Sequence, residues 1–156
     1  MFQELKHPQL IDIILTNVGH NFNQLCLGQY FDINPGSTVN LVELMKNKTS
    51  TLFDMAFTLG WIIKDRTHVP DTKILNIVHD MASEFGLMFQ LADDCQDIHK
   101  DAQKHNTNYV LQQGLQQTHE LFRNNYQLFQ QQSQKLQLNI PDIMTIVEYL
   151  QSNVVH

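Results

Sequence analysis

Three aspartates stand within five residues of this chain, in the run Asp93-Asp94-Cys95-Gln96-Asp97. Asp93 and Asp97 are four apart, so on a helix they share one face about one turn from each other, where like charges repel. A cation would relieve that repulsion. Mg²⁺ suits the task, being a hard ion that takes oxygen ligands and usually keeps several waters. The preceding residues sharpen the pattern. At about 100° per residue, Val78, Met81, Phe85, Met88 and Ala92 gather on one side of a helix. His79, Ser83, Gly86, Gln90, Asp93, Asp94 and Asp97 gather on the adjoining side. A mid-helix glycine costs about 1 kcal/mol relative to alanine, so Gly86 on the acidic stripe suggests that something needs space there. On spacing alone, the competing reading is a solvated acidic helix end.

Those residues need helices to position them, and helical spacing recurs throughout the chain while strict alternation does not. The pattern predicts a first helix from about Pro8 to about Asp32, ended by the turn Asn34-Pro35-Gly36-Ser37. Ser37 or Thr38 is placed to cap a second helix running through Leu41, Leu44, Met45, Leu52, Phe53, Ala56 and Trp61. That helix bends near Lys46 to Thr49, where the apolar pattern lapses. Asp71 is the predicted N-cap of a third helix, which carries the acidic stripe. A polar loop follows from about His99 to Asn108. A fourth helix spans Tyr109 to Lys135, with its glutamines read as a solvated face, and Asn139-Ile140-Pro141 opens a short fifth. The expectation is one all-α domain over residues 1–156, a bundle of about five helices.

Composition narrows the class. The 156 residues are 42% apolar and 17% charged, as in ordinary soluble domains. A formal net charge of −6 argues against broad nucleic-acid binding, which needs a basic face. No apolar run approaches the roughly 20 residues of a membrane span. Met1-Phe2-Gln3-Glu4-Leu5-Lys6-His7 lacks the basic-then-apolar order of a secretory signal. A cytoplasmic protein with Cys26 and Cys95 reduced is therefore expected. The histidines are scattered without ligand spacing, and His79 reads as a cavity-wall or surface residue.

The stretch Phe85-Gly86-Leu87-Met88-Phe89-Gln90-Leu91-Ala92-Asp93-Asp94-Cys95-Gln96-Asp97 resembles the second aspartate-rich motif of trans-isoprenyl diphosphate synthases, FGxxFQxxDDxxD. Upstream, Met45-Lys46-Asn47-Lys48-Thr49-Ser50-Thr51-Leu52-Phe53 resembles that family's MxxKTxxLF segment, and Gly28-Gln29-Tyr30-Phe31-Asp32 its GQxxD segment. Downstream, Asn108-Tyr109-Val110-Leu111-Gln112-Gln113-Gly114 is similar to the stretch opening the family's next helix. The matches keep the family's order and cover most of the chain. The resemblance implies the C-terminal half of the isoprenoid synthase fold and a role in condensing an allylic prenyl diphosphate with isopentenyl diphosphate. It implies that Asp93 and Asp97, with Asp94 beside them, hold Mg²⁺ bridged to the allylic diphosphate. Lys48 would touch that diphosphate, Thr49 and Gln90 would lie beside the reacting carbon, and Gly28 and Gln29 would help line the cavity.

Two departures stand out. The family's first aspartate-rich motif and its basic isopentenyl diphosphate segment precede GQxxD, yet the only acidic residues before Gly28 are Glu4 and Asp12. This chain alone is therefore expected to be an incomplete domain, inactive by itself, whose partner is a missing N-terminal half, a second copy or a full-length synthase. After Asp97, many members carry a Gly-Lys pair whose lysine touches diphosphate. Here the loop offers Lys100 or Lys104, and Lys104 is carried as the candidate. Three alternatives remain open: a non-catalytic subunit regulating a complete synthase, a terpene-cyclase-like protein, and a helical scaffold without ligand.

Overall fold

The computed structural model describes residues 7–34, 40–65, 67–104 and 106–155. Among them the chain is all α-helical, with no strand. α1 (Pro8–Ile33) opens on its first-turn proline, as the pattern predicts. The proposed caps Ser37 and Thr38 lie outside the described residues. Asn40 takes that role, its Oδ1 accepting the Val42 and Glu43 amides at 2.9 and 3.3 Å and starting α2 (Leu41–Met45). The expected bend is a single π-helical turn over Lys46–Ser50, which runs straight into α3 (Thr51–Lys64).

α4 (Thr72–Gln96) starts at Asp71, whose carboxylate accepts the Lys73 amide at 2.8 Å. It is the central rod, with α3, α7 (Leu115–Lys135), α8 (Pro141–Val155) and the π turn packed around it. Its apolar stripe makes the core: Phe85, Met88 and Leu91 bury against Phe122 and Phe129 of α7 and against Val147 and Leu150 of α8. Full burial of each such side chain contributes about 1.5–3 kcal/mol. α1 packs on α3 and the π turn, sealing Leu10 and Ile14 against Ile62.

The structure corrects the sequence reading in two places. Part of the expected loop is a short helix, α5 (Ile98–Lys104), too poor in apolar residues to show a period. The expected fourth helix is broken into α6 (Tyr109–Gln113) and α7 at Gly114, whose φ of +85° ends one helix before the next begins.

Two close approaches set the geometry around the π turn. A methyl added to Gly86 would lie 2.5 Å from Ser50 Cα, and one on Gly28 would lie 2.7 Å from the Lys48 amide nitrogen. Both are far inside van der Waals contact. The room that Gly86 leaves is thus filled by the π turn, whose Ser50 hydroxyl also donates to the Ser83 carbonyl at 3.0 Å. Replacing Gly86 by alanine should lower stability by about 1–3 kcal/mol through overpacking, measured by urea unfolding.

Glu84 is buried on α4, and its Oε2 has no partner among the described residues. Burial first, and then Asp80, push its carboxyl from 4.5 up to about 7, against the pull of Lys46 and Lys135. A carboxyl whose folded pKa is raised stabilises the fold fully below its unfolded value, and that contribution fades as pH rises through the folded one. Stability should therefore fall between about pH 4.5 and about 7. The Glu84→Gln variant should flatten that fall by about 1–3 kcal/mol, read from unfolding midpoints across the range.

Candidate diphosphate and metal site

The C-terminal end of α4 is an unfavourable place for carboxylates. A helix C-terminus carries a partial negative charge, and no basic residue lies in the last turn of α4 to answer it. Asp93, Asp94 and Asp97 are nevertheless there, bordering a cavity of about 580 Å³. Asp32 from the end of α1 and Asp101 from α5 also line it, against the cations of Lys48 and Lys100. Five carboxylates thus face two lysines across elements far apart in sequence.

Each lysine is already engaged. Lys48 Nζ donates to Asp32 Oδ2 at 2.7 Å, and Lys100 Nζ to Asp97 Oδ2 at 2.5 Å. Among the described residues, Asp93 has no such partner. Burial first, and then the neighbouring Asp97, raise its carboxyl above the ordinary range, so this position gains from added positive charge.

Asp94 plays a different part. Its Oδ1 accepts the Gln90 side-chain amide at 2.8 Å, and its Oδ2 accepts the Tyr109 backbone amide at 2.7 Å. Burial raises its carboxyl to about 6 even against those two donors. Gln90 Oε1 in turn accepts the hydroxyl of buried Thr49 at 2.6 Å, so a chain of hydrogen bonds runs from the π turn through α4 to the start of α6. Asn108, 1% exposed, closes the far end. Its Nδ2 donates to the Asp94 carbonyl at 2.8 Å and to Asp101 Oδ2 at 3.0 Å, while its Oδ1 caps α6 through the Leu111 amide. Burial works to raise the Asp101 carboxyl, yet the Asn108 and Asn106 amides hold it below the usual range.

The cavity therefore brings together Lys48, Gln90, Asp93, Asp94 and Asp97, with Thr49 one hydrogen bond behind. It does not include Lys104, which is exposed at the end of α5; Lys100, one turn earlier, lines it instead. Gln29 is exposed on α1 and is also absent from the lining, whereas Gly28 is buried as a spacer against the π turn. His79 lies away from the aspartates, bonded to Asp54. Asp32 and Asp101 are site residues that the sequence reading did not single out. Asp32 closes the GQxxD segment, and that position was a usable signal; Asp101 sat in a stretch read as loop.

Among the described residues, no three His, Cys, Asp or Glu side chains are grouped to hold a metal ion by themselves. The donor set still fits Mg²⁺ chemically, since that ion is usually bound by one or two carboxylates together with substrate phosphate oxygens. Asp93 and Asp97 are the carboxylates available for that role.

The polyprenyl synthetase family model matches residues 1–138, and the chain belongs to that family. A curated relative, farnesyl diphosphate synthase from Haemophilus influenzae, is 34% identical over 97 residues. The match covers 60% of this chain and 32% of the relative, so the chain spans well under two thirds of the curated protein it resembles. No solved structure matches. No helix among the described residues is long and apolar enough to cross a membrane.

Removing the Asn108 side chain would strip a cap from α6 and leave the Asp94 carbonyl and Asp101 short of a donor. An Asn108→Ala variant should lose roughly 2–4 kcal/mol of stability, checked by denaturant titration.

Proposed function

We propose that this chain supplies one wall of a prenyl transferase site, binding the diphosphate of an allylic prenyl substrate with Mg²⁺ for condensation with isopentenyl diphosphate. The observation that carries this reading is the shared cavity, in which Lys48 of the π turn faces Asp93 and Asp97 of α4. Asp93 and Asp97 hold the metal, while Asp94, with both oxygens already bonded, fixes Gln90 instead of acting as a free ligand. Magnesium, when bound, neutralises charge on the departing diphosphate. Lys48 and Lys100 give up Asp32 and Asp97 to contact diphosphate oxygens, each as a point charge. Gln90, which lines the cavity with Thr49 bonded behind it, would supply a fixed dipole that steadies developing positive charge.

The opposing wall belongs to further polypeptide, either an N-terminal half or a partner synthase. Such a segment would cover the outer face of α1, where Leu15, Phe22, Tyr30 and Ile33 are each more than half exposed. The alternative of a purely regulatory subunit gives no reason for Lys48, Gln90 and the aspartates to share one cavity.

Isothermal titration with inorganic diphosphate should show binding that requires Mg²⁺ and weakens at least about tenfold in Asp93→Ala. Binding of equal strength without the metal would contradict the assignment.

A further inference from the structure

Asp54 sits where α1, α3 and α4 meet, and side chains from all three bond to it. Its Oδ2 accepts the side-chain amides of Asn21 and Asn17 of α1, at 2.7 and 3.2 Å. Its Oδ1 accepts the hydroxyl of Thr58, one turn along α3, at 3.3 Å, and a hydrogen bond from His79 of α4. An ionised carboxylate can only accept, so Nδ1 of His79 carries a hydrogen here. Asn17, Asn21 and Thr58 are buried. The His79 side chain is 37% exposed, so solvent reaches its ring and can take up or supply a proton.

Little apolar burial holds this end of α1. Leu10 and Ile14 pack on Ile62 in a small cluster separate from the main core around α4, and Leu15 and Phe22 are exposed. An element with few buried contacts is where local opening comes first. The polar hub is therefore a main attachment, and its strength depends on charge, because hydrogen bonds between ionised partners are roughly twice as strong as neutral ones.

Both partners favour the charged pair. Burial works to raise the Asp54 carboxyl, yet the bonds from His79 and Asn21 hold it below the usual range. The bond to Asp54, opposed by burial and aided by the charges of Asp54 and Asp80, raises the His79 imidazole above 6.5. The other charged or titratable groups around the pair are Asp12 and His20 of α1, Glu43 of α2 and Lys46 of the π turn. A raised imidazole stabilises the fold fully below its unfolded value, and that contribution fades as pH rises through the folded one. Neutral His79 still donates through Nδ1, so the bond weakens without breaking.

We propose that the Asp54–His79 pair is a proton-operated latch on α1, closed while His79 is charged and loosened when that charge is lost. The test is residue-resolved amide hydrogen exchange of the full chain from about pH 6 to about pH 9, with His79 titrated in parallel by NMR. Protection over residues 10–21, taken relative to that in α7, should fall about fivefold, the difference between a charged and a neutral hydrogen bond. His79→Asn keeps a donor where Nδ1 stood and cannot titrate, so its profile should be flat. His20→Asn, which removes the neighbouring imidazole, should leave the fall in place. A His79 imidazole that titrates at or below 6.5 would overturn the proposal. So would an equal fall in a folded His79→Asn protein, or a fall abolished by His20→Asn.

Discussion

The structure depends on one steric interlock. A single π turn, Lys46–Ser50, is gripped between two glycines that leave no room for a β-carbon, Gly28 on α1 and Gly86 on α4. That grip sets three helices at one spacing and fixes the rotation of the turn. Lys48 is then directed to the cavity at the end of α4, while Thr49 reaches Gln90 from behind. A regular α-helical turn would carry one residue fewer per hydrogen-bonded loop and rotate both side chains away. The π turn is thus a positioning device, and two adjacent glycines are the condition for its fit.

The interlock serves an electrostatic arrangement that is unfavourable in isolation. Carboxylates gathered at a helix C-terminus repel one another and the helix dipole. The chain relieves part of this internally, through the Asp32–Lys48 and Asp97–Lys100 ion pairs. It relieves another part with the amide donors that Gln90, Asn106 and Asn108 bring to Asp94 and Asp101. Among the described residues, Asp93 is left without an ion-pair partner, its proton held more tightly because of burial and Asp97. In the proposed function, a hard cation carrying an anionic ligand would offset that remainder.

Much of this was legible in the sequence because its signals are local. Pro8 and Asp71 mark helix starts through their own backbone chemistry, and the α4 stripe is strictly periodic. Lys48, Gln90 and the aspartates were recognisable because they stand in ordered motifs. What escaped depends on contacts between distant segments. The partner of Gly86 is Ser50, and nothing in the spacing of α4 names it. α5 hid behind polar residues, and with it went the choice of Lys100 over Lys104. His79, read as a wall residue, is bonded to Asp54, a residue on another helix that no local pattern singled out.

The Gly28–π-turn–Gly86 interlock places Lys48 opposite the aspartates. Gly28 lies outside the cavity lining, so a Gly28→Ala substitution can act on the site only through the turn it touches. The decisive measurement is Mg²⁺-dependent affinity for inorganic diphosphate in that variant, with helicity followed by circular dichroism. A folded protein whose affinity falls about tenfold is expected, the scale of a displaced contact. A folded Gly28→Ala protein that binds as tightly as the unaltered chain would contradict it.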